Sequence, residues 1–494
     1  MRCVVFGATG YIGGRLVPEL ISAGHRVRAV ARDPAKLSGV PWRDDVDVVA
    51  GDVTDARSVA DALRDQDLVY YLVHSLNRGD FVDVDRRAAQ IVADAAQASG
   101  VRRIVFLGGM RPAGELSAHL ASRAEVADIL LDSGVPTVSL QAAVIIGSGS
   151  ASFEMLRYLT ERLPAMVTPR WVHNRIQPIA VRDVLHYLVA AAGLPPDVNG
   201  AFDIGGPDVL TYLEMMRRYA VVAGLPRRAV VPVPVLTPWL SAQWVNLVTP
   251  VPRSIAVPLI ESLVHEVVCR DNAVTEHIPD PEGGLTHYER AIELALARIR
   301  DDDVSTRWSD ASWPDAPSDP LPTDPTWSGG SVYQDVRELT SSAAPDDVWR
   351  VIESIGGEHG WYSFPLAWSA RGWADRLVGG VGLRRGRRDP HRLHVGEALD
   401  WWRVEHIDRP RLLRLRAEMR LPGRAWLEFS VHPDERGGTV YRQRAVFEPH
   451  GLGGHLYWKL ISPFHFVVFG GMARNITGAA DRREGTPTAT RTGG

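Results

Sequence analysis

The chain has 494 residues, with 55 basic and 59 acidic side chains and a formal net charge of −4. That length asks for two or three domains, and the slight acidity speaks against a nucleic-acid partner, which would favour a basic patch. Two cysteines, Cys3 and Cys269, are too few for a disulfide framework or a zinc cluster, and they fit a reducing compartment.

The chain opens on "RCVVFGATG", a strand entering a glycine turn, with no room for a signal peptide. The residues from 13 to 24, "GGRLVPELISAG", have helical spacing and a glycine stop. Apolar strand runs then recur at 26–32, 46–52, 67–73, 102–108 and 137–146, with helical patterns at 55–64, 83–99 and 116–133 between them. Strands alternating with helices predict a doubly wound parallel sheet of Rossmann type over 1–150. From 151 to 300 the alternation loosens into helices at 152–164, 211–224 and 286–299, the pattern of a small, mostly helical substrate lobe. No run of 18 uncharged apolar residues occurs. The apolar segment 229–260 is interrupted by prolines and reads as a kinked lobe segment, with a membrane-surface patch or an apolar pocket wall as the alternative. Residues 301–330 are rich in Pro, Asp, Ser and Gly and read as a linker.

Beyond the linker, 411–419, 424–432 and 439–447 alternate with period two. Leu413 and Leu415, then Leu427, Phe429 and Val431, then Tyr441, Ala445 and Phe447 fall on single faces. A long helical run at 451–476 follows. An antiparallel sheet around a long final helix makes an α+β domain over 331–478 that can enclose an apolar cavity. The basic loop 376–392 reads as solvated, with a lid or a contact to an anionic headgroup as the alternative. Residues 479–494 read as a disordered tail.

"GATGYIGG" puts Gly7, Gly10 and Gly13 between a strand and a helix. That spacing gives a tight turn, an approach for a diphosphate and close helix packing, with the anion on the helix N-terminus. The second strand ends in Arg32 rather than a carboxylate. A guanidinium there suits a 2′-phosphate, so NADP is expected ahead of NAD. Asp52 ends the third strand, placed to accept from the adenine amino group.

These motifs, with "VRAVARDP", "GDVTD", "RIQPIAVRDV" and "FDIGGPDVLTYLEMM", resemble the extended and atypical short-chain dehydrogenase/reductases, in particular the NmrA-like NAD(P)H-binding branch. The resemblance covers residues 1 to about 300. It implies cofactor contacts from Thr9, Tyr11 and Ile12 beside the glycines, from Val53 beside Asp52, and from Val73 and His74 at the fourth strand's end. Residues 332–478 resemble the helix-grip superfamily of START and polyketide-cyclase proteins through "SSAAPDDVWRVI" and the long last helix. This implies a cavity for a lipid, steroid or polyketide-like ligand.

In the reductase family a Tyr-x-x-x-Lys pair gives the proton and holds the ribose, and a Ser or Thr polarises the carbonyl. This chain has only Lys36 and Lys459 and no Tyr-x-x-x-Lys. "LSAHLASRAEV" sets His119 and Arg123 in the two places, and "FLGGM" offers no hydroxyl. Arg123 keeps the charge to bond the ribose. His119 is a general-acid candidate because an imidazole titrates near neutral pH, and His74 is a second. Tyr158 begins a Tyr-x-x-x-Arg on a later helix and is a third candidate catalytic group. No metal-ligand spacing stands out.

Two functions follow as expectations. One is an NADP-dependent oxidoreductase without the usual triad, acting on a small apolar or lipid-like carbonyl or enone that the C-terminal domain holds or delivers. The other is a non-catalytic NADPH sensor or ligand carrier. The expected location is cytoplasmic, with peripheral contact to the inner face of the membrane.

Overall fold

The computed structural model describes residues 1–74, 81–112, 114, 116–163, 165–168, 170–232, 249–304, 333–356, 361, 392–434 and 437–484. Residues 376–391 of the basic loop and 233–248 of the apolar segment lie outside these residues. The chain divides into two compact units, Met1–Gly330 and Ser331–Gly494.

In the first unit, β1 (Arg2–Phe6), β2 (Arg26–Ala31), β3 (Asp47–Ala50), β4 (Leu68–Tyr71), β5 (Arg103–Gly109), β6 (Thr137–Ala142) and β7 (Gly200–Ile204) form one sheet in the order β7-β6-β5-β4-β1-β2-β3. Every neighbouring pair is parallel. A parallel strand needs a crossover, and α1 (Tyr11–Ser22), α2 (Ala56–Leu63), α3 (Phe81–Ala98) and α4 (Ala118–Leu131) supply it. One core on each face of the sheet results.

The order reverses at β1, whose neighbours are β2 and β4. A crevice therefore opens beyond the carboxyl ends of β1 and β4, where ligands of such sheets bind. The expected boundary at residue 150 is not a physical one. The helix Val181–Ala191 contributes Val184, Leu185 and Leu188 to the core of the sheet, and β7 pairs with β6 at its edge.

The rest of the first unit is a helical lobe with its own core. Apart from α6 (Val181–Ala191), which packs on the sheet, it is built from α5 (Ala151–Arg162), α7 (Tyr212–Val222), α8 (Arg253–Ser262) and α9 (Tyr288–Val304). The last of these continues past residue 300, where the linker was expected to begin.

Among the described residues, the second unit is a six-stranded antiparallel sheet. Its strands are β8 (Tyr333–Ser341), β9 (Ala398–Leu399), β10 (Trp402–Asp408), β11 (Leu412–Ala417), β12 (Gly423–Pro433) and β13 (Thr439–Pro449), in the order β8-β13-β12-β11-β10-β9. A short helix, α10 (Pro345–Glu353), and a long one, α11 (Gly451–Glu484), pack on it. Leu413, Leu415, Leu427, Phe429, Val431 and Tyr441 meet Met472, Ala473 and Ile476 of α11 in a single core. The helix runs beyond residue 478 to Glu484, so the tail expected from 479 is helical at its start.

Candidate functional site

The glycine loop has the shape that a diphosphate requires. Gly7 has φ of +93°, and a Cβ there would lie 2.8 Å from the carbonyl oxygen of Leu72. A Cβ on Gly13 would lie 2.2 Å from the oxygen of Gly7, so only glycine lets α1 come this close to the strand end. The N-cap of α1, Gly10, is exposed and brings no side-chain cap. The first-turn amides are thus left for an anion. Thr9, Tyr11 and Ile12 are half-buried around them. These residues fit a dinucleotide.

Arg32 is exposed just past the end of β2. Asp52 is partly engaged: its Oδ1 accepts from the amide and hydroxyl of Thr54, at 2.9 and 2.8 Å. Val53 packs against the core beneath α2 and α3.

At the carboxyl end of β4 four side chains form a continuous row. Asp85, 2% exposed on α3, meets His74 Nδ1 at 2.8 Å. His74 Nε2 lies 3.0 Å from His119 Nε2, and His119 Nδ1 lies 3.2 Å from Ser262 Oγ. The hydroxyl of Ser262 is also 2.8 Å from the oxygen of Pro258, one turn back on α8. His119 owes its position to the start of α4, where Ser117 caps the helix through the amide of Leu120.

His119 and Ser262 line a cavity whose other walls include Met110, Leu120, Met155, Ile176 and Val267. Burial pushes His119 down to about 3, helped by the positive field of His74 and Arg123 and opposed by Asp85. Burial also lowers His74, against the opposing hydrogen bond to Asp85. The expectation that His119 titrates near neutral pH is therefore corrected: a desolvated imidazole between other donors and a guanidinium stays uncharged.

Two nitrogens facing each other at 3.0 Å share one proton, so the row has two protonation patterns. In the neutral pattern His74 Nδ1–H donates to Asp85, and His119 Nε2–H donates to His74. In the pattern with one more proton, His74 is an imidazolium on Asp85 and donates from Nε2 to His119, whose Nδ1–H donates to Ser262.

Arg123, one turn along α4 from His119, donates to the carbonyl oxygen of Val73 at 3.3 Å and to that of Leu107. Its guanidinium carbon lies 4.6 Å from the ring centre of Phe106. It ties together the chain ends of β4 and β5. Tyr158 is not among the residues that line the cavity. It is 3% exposed, with the guanidinium carbons of Arg157 and Arg162 at 4.2 and 4.7 Å from its ring centre. Arg157 in turn pairs with Glu154 at 2.6 Å, so this group belongs to the interior of the lobe.

Sequence reasoning missed Asp85 and Ser262. Asp85 carried a signal, since it stands on the stripe of Ala88, Ala89 and Val92 that α3 buries. An acid on an apolar stripe needs a partner. Ser262 carried none, because it meets His119 across 143 residues of chain.

Residues 7–134 match a family described as NAD(P)H-binding. The first unit carries an NAD(P)H-binding domain of Rossmann type. Residues 327–472 match a second family, described as protein of unknown function. An uncharacterized protein of Mycobacterium tuberculosis is 29% identical over 228 residues, 46% of this chain but only 24% of that protein's length. A ceramide reductase of Caulobacter vibrioides is 28% identical over 296 residues, 57% of this chain and 92% of that one. A solved triphenylmethane reductase of Citrobacter, complexed with NADP(H), is 20% identical with a TM-score of 0.49, over 60% of this chain and 100% of that chain.

Proposed function

We propose that the first unit is an NADPH-dependent reductase of an apolar, lipid-like carbonyl compound, in which a serine and two histidines deliver the proton. The observation that carries this reading is the hydrogen-bonded path from buried Asp85 through His74 and His119 to Ser262, ending in the wall of an apolar cavity.

A bound nicotinamide supplies hydride to the carbonyl carbon, and the chain's own residues do the rest. The Ser262 hydroxyl donates a hydrogen bond to the carbonyl oxygen. As the oxygen takes up charge, the Ser262 proton crosses to it. The Nδ1 proton of His119 crosses to Ser262, and the Nε2 proton of His74 crosses to His119. His74 begins as an imidazolium and ends neutral, with Nδ1–H still on Asp85. One proton has left the row, and His74, 21% exposed, takes the next from solvent. Arg123 is a positioning residue that holds the strand ends beneath the row.

Arg32 and Lys36 favour NADP over NAD. The ceramide reductase relative, aligned along nearly its whole length, supports a lipid-like substrate. We read the second unit as a helix-grip-type holder for that substrate. Gln443 Nε2 and Trp402 Nε1, both buried with no hydrogen-bond partner among the described residues, are donors that a ligand's polar group would meet.

NADPH sensing without turnover competes with this reading, because histidine and arginine replace the usual tyrosine and lysine. The experiment incubates full-length protein with NADPH deuterated at either C4 face and a lipid extract of the source organism. Mass spectrometry then follows deuterium in the products. A reductase labels a lipophilic product, and Ser262→Ala and Asp85→Asn lower the labelling by about a hundredfold at unchanged NADPH affinity. Tight NADPH binding with no label from either face decides for the sensor.

A further inference from the structure

The outward face of α11 changes character halfway along. In its second half the exposed positions include Arg474, Asn475 and Arg482, as expected of a solvated helix. In its first half they are, among the described residues, Leu452, Gly453, Leu456, Lys459, Leu460 and Pro463. The three leucines, spaced by four residues, are 42%, 52% and 76% exposed. A row of this kind is unusual, because scattered apolar residues are common on surfaces but contiguous ones mark contact sites.

The helix is not free to turn the row inward. On the opposite side Trp458 stacks on Tyr333 and Phe447, with ring centres at 5.2 and 5.6 Å. His455 Nδ1 meets the Tyr333 hydroxyl at 2.9 Å. Among the described residues, the exposed charges along this outward face, Lys459, Arg474 and Arg482, are all positive, in a chain whose net charge is negative. Lys459 is one of only two lysines in the chain and stands between Leu456 and Leu460. Its long stem can follow the leucines into an interface while its ammonium stays at the surface. No helix among the described residues is long and apolar enough to cross a membrane.

We propose that this face seats the protein on a lipid bilayer with anionic headgroups. The leucines enter the headgroup boundary, and the cations meet the lipid phosphates. The helix lies in the plane of the interface. The proposal stands apart from the reductase reading and does not depend on turnover.

The test is flotation of full-length protein with vesicles of equal parts phosphatidylglycerol and phosphatidylcholine, and with vesicles of phosphatidylcholine alone. The wild type is expected to float with the anionic vesicles and much less with the neutral ones. Leu456→Glu with Leu460→Glu lowers the partition coefficient at least about tenfold. Near-UV circular dichroism, which reports the tryptophan packing, stays unchanged. Lys459→Glu, which leaves the leucines in place, weakens binding to anionic vesicles selectively and serves if the double variant misfolds. Three outcomes overturn the proposal: a wild type that ignores anionic vesicles, variants that float as well as wild type, or equal flotation with neutral lipid. A leucine-dependent dimer without vesicle binding would assign the face to a second copy of the chain, and overturn it too.

Discussion

At the residue scale, His119 is held neutral by burial, and this has a consequence for stability. In the unfolded chain it takes a proton below its ordinary value of 6.5, but in the folded chain only near 3. The unfolded state therefore binds more protons over that interval. The stabilisation is complete above pH 6.5 and is lost as pH falls toward 3, at up to about 1.4 kcal/mol per pH unit. Urea midpoints of wild type and His119→Gln, followed from pH 7 to 4, are expected to converge as the pH falls, because the variant lacks this proton sink. Parallel lines would show that His119 is solvated. The same depression acts on catalysis in the opposite sense. The row delivers a proton only from its protonated pattern, and both imidazoles are shifted down. Reduction is thus expected to accelerate as pH falls below 7, until acid unfolding intervenes, and a pH–rate profile of initial velocities checks this.

At the scale of elements, what could be read from the chain was whatever repeats locally. "CVVFGA" became β1 because an apolar run before a glycine turn has few other uses. The faces of 411–419 and 424–432 emerged because alternation alone assigns Leu413, Leu415, Leu427 and Phe429 to the core. The row of Asp85, His74, His119 and Ser262 had no such period, since its members come from three helices and a strand end. Tyr158 misled for a related reason: its spacing to Arg162 places the two together on a helix, but in the folded lobe the guanidinium covers the ring instead of opening toward the cavity. The side of the sheet opposite the core was equally illegible. There Glu428 of β12, 6% exposed, takes Arg414 at 2.7 Å from β11 and Arg444 at 2.6 Å from β13. Cross-strand register sets all three side by side. Glu428→Gln leaves two arginines adjacent and mostly desolvated, and is expected to cost the second unit about 3 kcal/mol. Denaturant unfolding followed by tryptophan fluorescence measures it, and a loss below about 0.5 kcal/mol would mean that solvent screens the triad.

At the scale of the whole molecule, the cores determine what one ligand can stabilise. Among the described residues, three clusters of buried apolar side chains belong to the first unit and one to the second. The glycine loop, the end of β2 and the histidine row all lie in the first. A ligand that binds only the folded form of one unit shifts only that unit's equilibrium, by about 2.7 kcal/mol at a hundred times its dissociation constant. Calorimetry of the full chain is expected to resolve two transitions, with NADPH raising one by several degrees and leaving the other in place. Glu428→Gln should lower the transition that NADPH does not move. If NADPH raised both, or if the variant lowered the NADPH-sensitive one, the units would unfold as a single cooperative body. The C-terminal unit would then belong to the nucleotide-binding equilibrium, and holding a substrate would not be its separate task.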